Sequence, residues 1–173
     1  MKELILGGVR SGKSRLAEQY ARDSGLQVVY IATARATGDA ELEERIRQHR
    51  LRRPTAWTTV EEPLALGQAL RAHASAKRCL VVECLTLWLT NLLCSAADSL
   101  ERESASLLES LPVLAGDIIL VSNETGLGVV PLGALSRHFV DASGELHQSL
   151  AAICDRVMLV VAGVPLRLKG TYT

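Results

Sequence analysis

Along this chain, short apolar runs alternate with longer stretches in which apolar residues recur every three or four positions. Residues 4–6 (Leu-Ile-Leu) form a first run that passes straight into Gly7-Gly8. Residues 14–24 carry Leu16, Ala17, Tyr20 and Ala21 at helical spacing, with Gly25 as a stop. Residues 27–32 (QVVYIA) predict a second strand, and the charged stretch 39–53 predicts a helix with Leu42 and Ile46 one turn apart, closed by Pro54. Residues 56–60 alternate like an edge strand, and Pro63 suits the first turn of a helix reaching about His73. Buried strands are predicted at 79–83 (CLVVE), 117–122 (DIILVS) and 156–162 (RVMLVVA), the last of the clear strands. Helices are predicted at 85–93, at 99–111, and from near Pro131 to Ile153 with a break at Gly144.

Strands that alternate with helices predict an α/β domain of three layers around a mostly parallel sheet. All 173 residues are expected to form one domain (1–173). In such sheets ligands bind beyond the carboxyl ends of the strands, so the residues just after each strand are the ones to examine.

Composition changes this picture little. The sequence is 48% hydrophobic but only 3% aromatic, which predicts a core of Leu, Val, Ile and Ala. Nineteen basic side chains balance nineteen acidic ones, which argues against whole-domain attraction to nucleic acid or to a membrane surface. No apolar run approaches the roughly 18 residues of a membrane span, so no stable membrane insertion is expected. The N-terminus enters a strand at once, without the pattern of a signal peptide, and a cytoplasmic protein is the expectation. Cys79, Cys84, Cys94 and Cys154 show no zinc-type spacing, and three of them lie in apolar runs as small buried hydrophobes.

Chemistry enters with Gly7-Gly8-Val9-Arg10-Ser11-Gly12-Lys13-Ser14, a G-x-x-x-x-G-K-S loop between a strand and a helix. Its glycines let successive main-chain N–H groups turn inward on phosphate oxygens. Lys13 reaches the β- and γ-phosphates, and Ser14 offers a hydroxyl to Mg²⁺. Glu83, at the tip of the apolar strand Leu80-Val81-Val82, suits a carboxylate that helps hold that Mg²⁺. A phosphate loop does not name a reaction. A small-molecule kinase or ATPase would use these residues, and so would a nucleotide-dependent binding module with no catalysis.

Arg45-Ile46-Arg47-Gln48-His49-Arg50-Leu51-Arg52-Arg53 is the least ordinary stretch. A solvated charged helix with a structural histidine is one reading. In the other, neighbouring positive charge keeps the His49 imidazole neutral near pH 7, able to attack phosphorus while guanidinium groups hold departing pyrophosphate. Asn123 and Glu124 could contact substrate or orient the metal, or simply form a turn. His138, His147, Trp57 and Trp88 suit structural roles, and Arg10 could meet phosphate or a neighbouring subunit.

Taken together these segments resemble one family. Beside the loop stand Tyr30-Ile31-Ala32-Thr33-Ala34 and Arg45-Ile46 with His49. Arg53-Pro54 follows, with Trp57, Thr59 and Glu61 beyond it. Then come Glu83-Cys84-Leu85-Thr86, Thr90-Asn91-Leu92-Leu93, Asn123-Glu124 with Gly126 and Gly128, and Val161-Ala162-Gly163-Val164-Pro165. The pattern resembles the bifunctional adenosylcobinamide kinase/adenosylcobinamide-phosphate guanylyltransferases of cobalamin biosynthesis and covers essentially the whole chain.

The resemblance implies a RecA-like P-loop NTPase fold and two reactions. ATP or GTP phosphorylates adenosylcobinamide, and GMP then passes from GTP, by way of a GMP-histidine, to give adenosylcobinamide-GDP. It implies His49 as the nucleophile, with Lys13 as the other catalytic residue. It places nucleotide contacts on the eight loop residues, on Ala32, Thr33 and Ala34, on Arg50, Leu51, Arg52 and Arg53, and on Glu61 and Glu83. A homo-oligomer, with a trimer as the form suggested, is implied by the resemblance alone.

Overall fold

The computed structural model describes residues 1–35, 43, 44, 47, 48, 50 and 54–171. Its strands are β1 (Lys2–Gly7), β2 (Gln27–Ala32), β3 (Thr58–Glu61), β4 (Arg78–Glu83), β5 (Asp117–Asn123), β6 (Arg156–Val161) and β7 (Val164–Lys169). Its helices are α1 (Lys13–Asp23), α2 (Leu66–His73), α3 (Leu85–Leu93), α4 (Ser99–Ser110) and α5 (Ala134–Ile153). A 3₁₀ turn, Leu111–Val113, follows α4.

The strands form one sheet in the order β3-β2-β4-β5-β1-β6-β7, parallel throughout except for the antiparallel pair β6–β7. The inner strands β1, β2, β4, β5 and β6 are apolar at most positions because alternate side chains enter two faces that are both covered, whereas the edge strands β3 and β7 are largely exposed. Leu4, Leu6, Leu80, Val82, Ile118 and Leu120 face one layer, where Leu66, Leu85, Trp88, Leu107 and Leu150 from the helices meet them. Ile5, Val81, Ile119, Val121 and Val160 face the opposite layer, where Ala17 and Ala21 of α1 pack closely because they are small. The result is the expected three-layer architecture. The loop-bearing strand β1 is separated from β4 by the intervening β5, a RecA-like arrangement.

Three expectations change. Helix α2 begins at Leu66 rather than around Pro63. The Glu62 carboxylate accepts from the amides of Leu64 and Ala65 at 2.9 and 2.8 Å, holding that approach in a turn. Helix α5 begins at Ala134 and runs unbroken through Gly144. A glycine inside a helix costs about 1 kcal/mol, less than the burial of Leu146 and Leu150 on the same helix returns. Ala162 leaves the strand. It has φ 52° and Gly163 φ 82°, and the pair makes a tight turn into β7, a strand the sequence pattern did not predict. Pro165 is tolerated there because β7 is the sheet edge.

The charged stretch 39–53 lies mostly outside the described residues. Glu43, Glu44, Arg47, Gln48 and Arg50 have helical backbone.

Candidate functional site

The carboxyl ends of the strands line up by register. Ala32 pairs with Glu61 on one side and Glu83 on the other. Glu83 pairs with Val121, and Gly7 pairs with Asn123 and Val160. One edge of the sheet therefore carries, in spatial order, Glu61, Ala32, Glu83, Asn123 and Gly7.

The phosphate loop springs from this edge at Gly7. A Cβ at Gly7 would stand 2.5 Å from Ser11 Oγ and 2.7 Å from the Val160 carbonyl oxygen, so the backbone closes only around glycine. Arg10 (φ 56°) and Gly12 (φ 101°) supply the left-handed turns. The Ser11 amide donates to the Gly8 carbonyl at 3.3 Å, and the Gly163 amide donates to the Ser11 carbonyl at 2.8 Å, tying the β6–β7 turn to the loop. Gly12 caps α1 without a side chain, so the first-turn amides of α1 face no capping oxygen of its own. Ser11 Oγ is buried and has no hydrogen-bond partner among the described residues. Buried Lys13 donates from Nζ to the Gly8 carbonyl at 3.2 Å. Together these groups form an anion cradle, and an unpaired buried hydroxyl inside it is a donor placed for a phosphate oxygen.

Glu83 stands opposite. Its Oε1 accepts from the Ser14 hydroxyl and its Oε2 from the Tyr30 hydroxyl at 2.9 Å. Hydroxyl and carboxylate oxygens side by side suit a hard cation such as Mg²⁺, which takes one or two protein oxygens and completes its shell from phosphates and water. Among the described residues no group of three or more His, Cys, Asp or Glu could hold a metal ion. The Glu83–Cys84 peptide is cis. Beyond it the Thr33 amide donates to the Glu83 carbonyl at 3.1 Å, and the Thr33 hydroxyl to the Cys84 carbonyl at 2.8 Å. Thr33 is thus fully buried and engaged inward, while its main chain is held at the sheet edge.

The second expected group lies farther along that edge. Arg50 donates to Glu61, and both side chains are more than half exposed. Four inter-strand steps separate β3 from β1, about 19 Å at the usual strand spacing. Described site residues therefore run along this edge from the loop and Glu83, through Ala32 and Thr33, to the Arg50–Glu61 pair. His49, Leu51, Arg52 and Arg53 lie outside the described residues.

Asn123 and Glu124 sit beside the loop. The Glu124 amide donates to the Gly7 carbonyl at 3.0 Å, and Asn123 Nδ2 donates to Thr86 Oγ1 at 3.1 Å. Glu124 Oε1 accepts from the Gly126 amide at 2.6 Å, which is a turn, as one sequence reading had it. Its Oε2 lies 3.9 Å from Nδ1 of His147, whose Nε2 shares a 2.7 Å hydrogen bond with Ser122 Oγ. Burial pushes the His147 pKa down, and the Glu124 carboxylate partly offsets this. His147 and Trp88 are packed inside as structural residues, the indole donating to the Leu64 carbonyl at 2.8 Å. His138 is exposed, and Arg10 is exposed on the loop.

Sequence reasoning passed over two contributors. Tyr30 entered as a strand residue and as part of the resemblance, with no role of its own, yet its hydroxyl donates to Glu83. Asn91 Nδ2 donates to the carbonyls of Thr33 (2.7 Å) and Pro63 (3.1 Å), pinning the chain after β2 to the chain before α2. A polar amide in the otherwise apolar helix LTLWLTNLL was the available signal.

Comparison with known proteins adds to this geometry. A family model described as cobinamide kinase / cobinamide phosphate guanyltransferase matches residues 3–168. A bifunctional adenosylcobalamin biosynthesis protein CobP of Pseudomonas aeruginosa is 63% identical over 171 residues, covering 98% of each chain. A bifunctional adenosylcobalamin biosynthesis protein CobU of Escherichia coli is 37% identical over 183 residues, covering 98% of this chain and 100% of that one. A solved structure from Pyrococcus horikoshii shares the fold at 10% identity, with TM-score 0.54 over 99% of this chain and 87% of that one.

Proposed function

The chain belongs to the cobinamide kinase / cobinamide phosphate guanyltransferase family, and on that premise we propose a residue-level account of how it phosphorylates and guanylylates its substrate. It is a bifunctional enzyme of cobalamin biosynthesis, a phosphotransferase and nucleotidyltransferase that uses nucleoside triphosphates.

The loop of residues 7–14 holds the triphosphate of ATP or GTP. Its amides and the Ser11 hydroxyl receive phosphate oxygens, while Lys13 moves from the Gly8 carbonyl to the β- and γ-phosphates. Ser14 and Glu83 would hold Mg²⁺, which would supply charge neutralisation for the triphosphate when bound. Tyr30 keeps the Glu83 carboxylate turned toward Ser14. The hydroxyl oxygen of adenosylcobinamide attacks the γ-phosphorus. The bond to the β-phosphate oxygen breaks, that oxygen keeps the electron pair, and the hydroxyl proton leaves to solvent.

For guanylyl transfer, His49 is the nucleophile. Its nitrogen attacks the α-phosphorus of GTP, the bond to the pyrophosphate oxygen breaks, and a phosphoramidate forms. A phosphate oxygen of adenosylcobinamide phosphate then attacks that phosphorus, breaks the N–P bond and carries GMP away. Arg50 to Arg53, with Glu61, Ala32, Thr33 and Ala34, form the nucleotide contacts around this step. A homo-oligomer acting in the cytoplasm completes the reading.

The observation that carries the proposal is the loop around Lys13 facing the Ser14–Glu83 pair. Incubation with α-labelled GTP and Mg²⁺ tests it. The expected product is protein bearing acid-labile, base-stable label, lost in His49→Ala. Unlabelled wild type, or undiminished label in His49→Ala, would sink the histidine assignment.

A further inference from the structure

Between β5 and α5 the chain runs without regular secondary structure from Glu124 to Gly133. It turns its apolar side chains outward. Leu127, Val129 and Leu132 are 82%, 97% and 98% exposed, and Val130 and Leu135 are exposed beside them. Five large apolar side chains within nine residues cost solvation unless something covers them. A Cβ added at Gly128 would meet no atom within 4 Å, so the chain stands clear of the body at this point. Behind it opens a cavity of about 410 Å³ whose walls include Leu93, Cys94, Thr125, Pro131, Leu135 and Phe139.

The position of this surface limits what can cover it. The segment starts where the Glu124 amide is bonded to the Gly7 carbonyl. Leu127 lies three residues on, within about 10 Å of extended chain. The apolar surface therefore adjoins the phosphate loop at the carboxyl edge of the sheet. The acceptors of both reactions, a hydroxyl and then a phosphate, are carried by the same corrinoid, which presents broad apolar ring faces rimmed by amides. It must lay its ring against protein while its side-arm hydroxyl reaches the γ-phosphate.

We propose that the segment of Leu127, Val129, Val130 and Leu132, with the cavity walled by Leu135 and Phe139, is the docking surface for the ring of the corrinoid substrate. The inference rests on the kinase and guanylyltransferase reading and names where its acceptor sits. The irregular, glycine-punctuated backbone lets these side chains settle on the ring, and Thr125 adds a polar residue to the cavity wall.

A triple variant, Leu127→Ser with Val129→Ser and Leu132→Ser, tests this directly. The three positions are nearly fully exposed, so folding is preserved, and Val113→Ser, an equally exposed apolar position before β5, serves as control. Cobinamide binding is read by its own absorbance in equilibrium dialysis, beside steady-state kinetics and sedimentation. The triple variant is expected to bind cobinamide at least about tenfold more weakly and to raise its KM likewise. The nucleotide KM, the GMP label and the sedimentation should be unchanged, with Val113→Ser like wild type. Unaltered cobinamide binding would overturn the proposal. So would altered sedimentation, which assigns the surface to a second copy of the chain. Wild type that binds cobinamide but transfers no phosphate would count against the catalytic reading alone, because the binding comparison still decides this one.

Discussion

The Ser14 hydroxyl donates to Oε1 of Glu83, joining residues 69 positions apart in the sequence. Ser14, the last residue of the loop, lies in the first turn of α1, and Glu83 ends β4, which is not a neighbour of β1. The contact reaches across the end of β5. It places a hydroxyl and a carboxylate on one point in front of the phosphate cradle, and the Tyr30 hydroxyl holds the other carboxylate oxygen at 2.9 Å.

Tyr30→Phe should therefore leave the fold intact and loosen Glu83. Apparent Mg²⁺ affinity in the kinase assay is expected to fall about tenfold or more, as when a ligand loses the group that orients it. Glu83→Gln should be more damaging than Tyr30→Phe. Titration of phosphoryl transfer against Mg²⁺ at saturating nucleotide checks both, and equal Mg²⁺ dependence in Tyr30→Phe and wild type would contradict the orienting role.

Lys13→Ala removes the one buried ammonium in the cradle. Phosphorylation of adenosylcobinamide is expected to fall about 100-fold or more, the scale on which positioned electrostatic stabilisers act. Single-turnover transfer of γ-label to the corrinoid reads this. A loss confined to nucleotide KM, with kcat intact, would show that Lys13 only binds.

Gly7→Ala tests loop closure. The new methyl would lie 2.5 Å from Ser11 Oγ and 2.7 Å from the Val160 carbonyl, and main chain cannot yield cheaply. A stability loss of about 1–3 kcal/mol is expected, with weakened nucleotide binding. Urea unfolding and nucleotide titration check the two effects.

At the opposite end of β1, Glu3 is fully buried and accepts two hydrogen bonds from Arg156 at 2.6 and 2.7 Å, while the guanidinium lies 4.5 Å from the Tyr20 ring centre. Burial pushes the Glu3 carboxyl upward against the opposing effect of Arg156. Arg156→Met would leave that carboxyl buried without its partner and should cost about 3–5 kcal/mol in denaturant unfolding. Replacing both residues by apolar ones should cost far less, and equal losses in the two variants would refute the pairing argument.

The His147 pKa lies below its ordinary 6.5 because burial disfavours the imidazolium. Below pH 6.5 the unfolded chain binds more protons at this residue than the folded chain does, so stability falls as pH drops from 6.5 toward the folded pKa. Above that window the contribution is fully present. His147→Gln should flatten this part of the stability–pH curve, measured by denaturant midpoints between pH 7.5 and 5.5. An unchanged slope would show that another group carries it.

Much of this was legible without coordinates. Apolar runs such as LILG and CLVVE, set between helical periods, predict parallel strands because such strands bury both faces and need no polar alternation. The loop could be read because its function depends on backbone shape, which glycines at fixed spacing dictate. Where the pattern misled, a compensating interaction was invisible in one dimension. Gly144 breaks no helix because Leu146 and Leu150 pull α5 onto the sheet. The strand β7 escaped notice because VPLRLK is an edge, half exposed and interrupted by proline, and the turn before it puts Ala162 at positive φ.

The local determinants of the phosphate cradle and the order of its flanking elements are thus written in the chain, because they follow from residue types at short spacing. Strand order is not. Only the packed sheet decides that β5 lies between the loop strand and Glu83, that Tyr30 turns its hydroxyl to that carboxylate, and that Glu61 ends up four strands from Gly7. These relations join residues from separate elements. They are selected by which apolar faces bury one another, a property of the whole molecule rather than of any segment. For the same reason the outward Leu127 reads in sequence as part of an ordinary loop and Leu132 as the start of a helix, and only the fold sets them with Val129 beside the phosphate site.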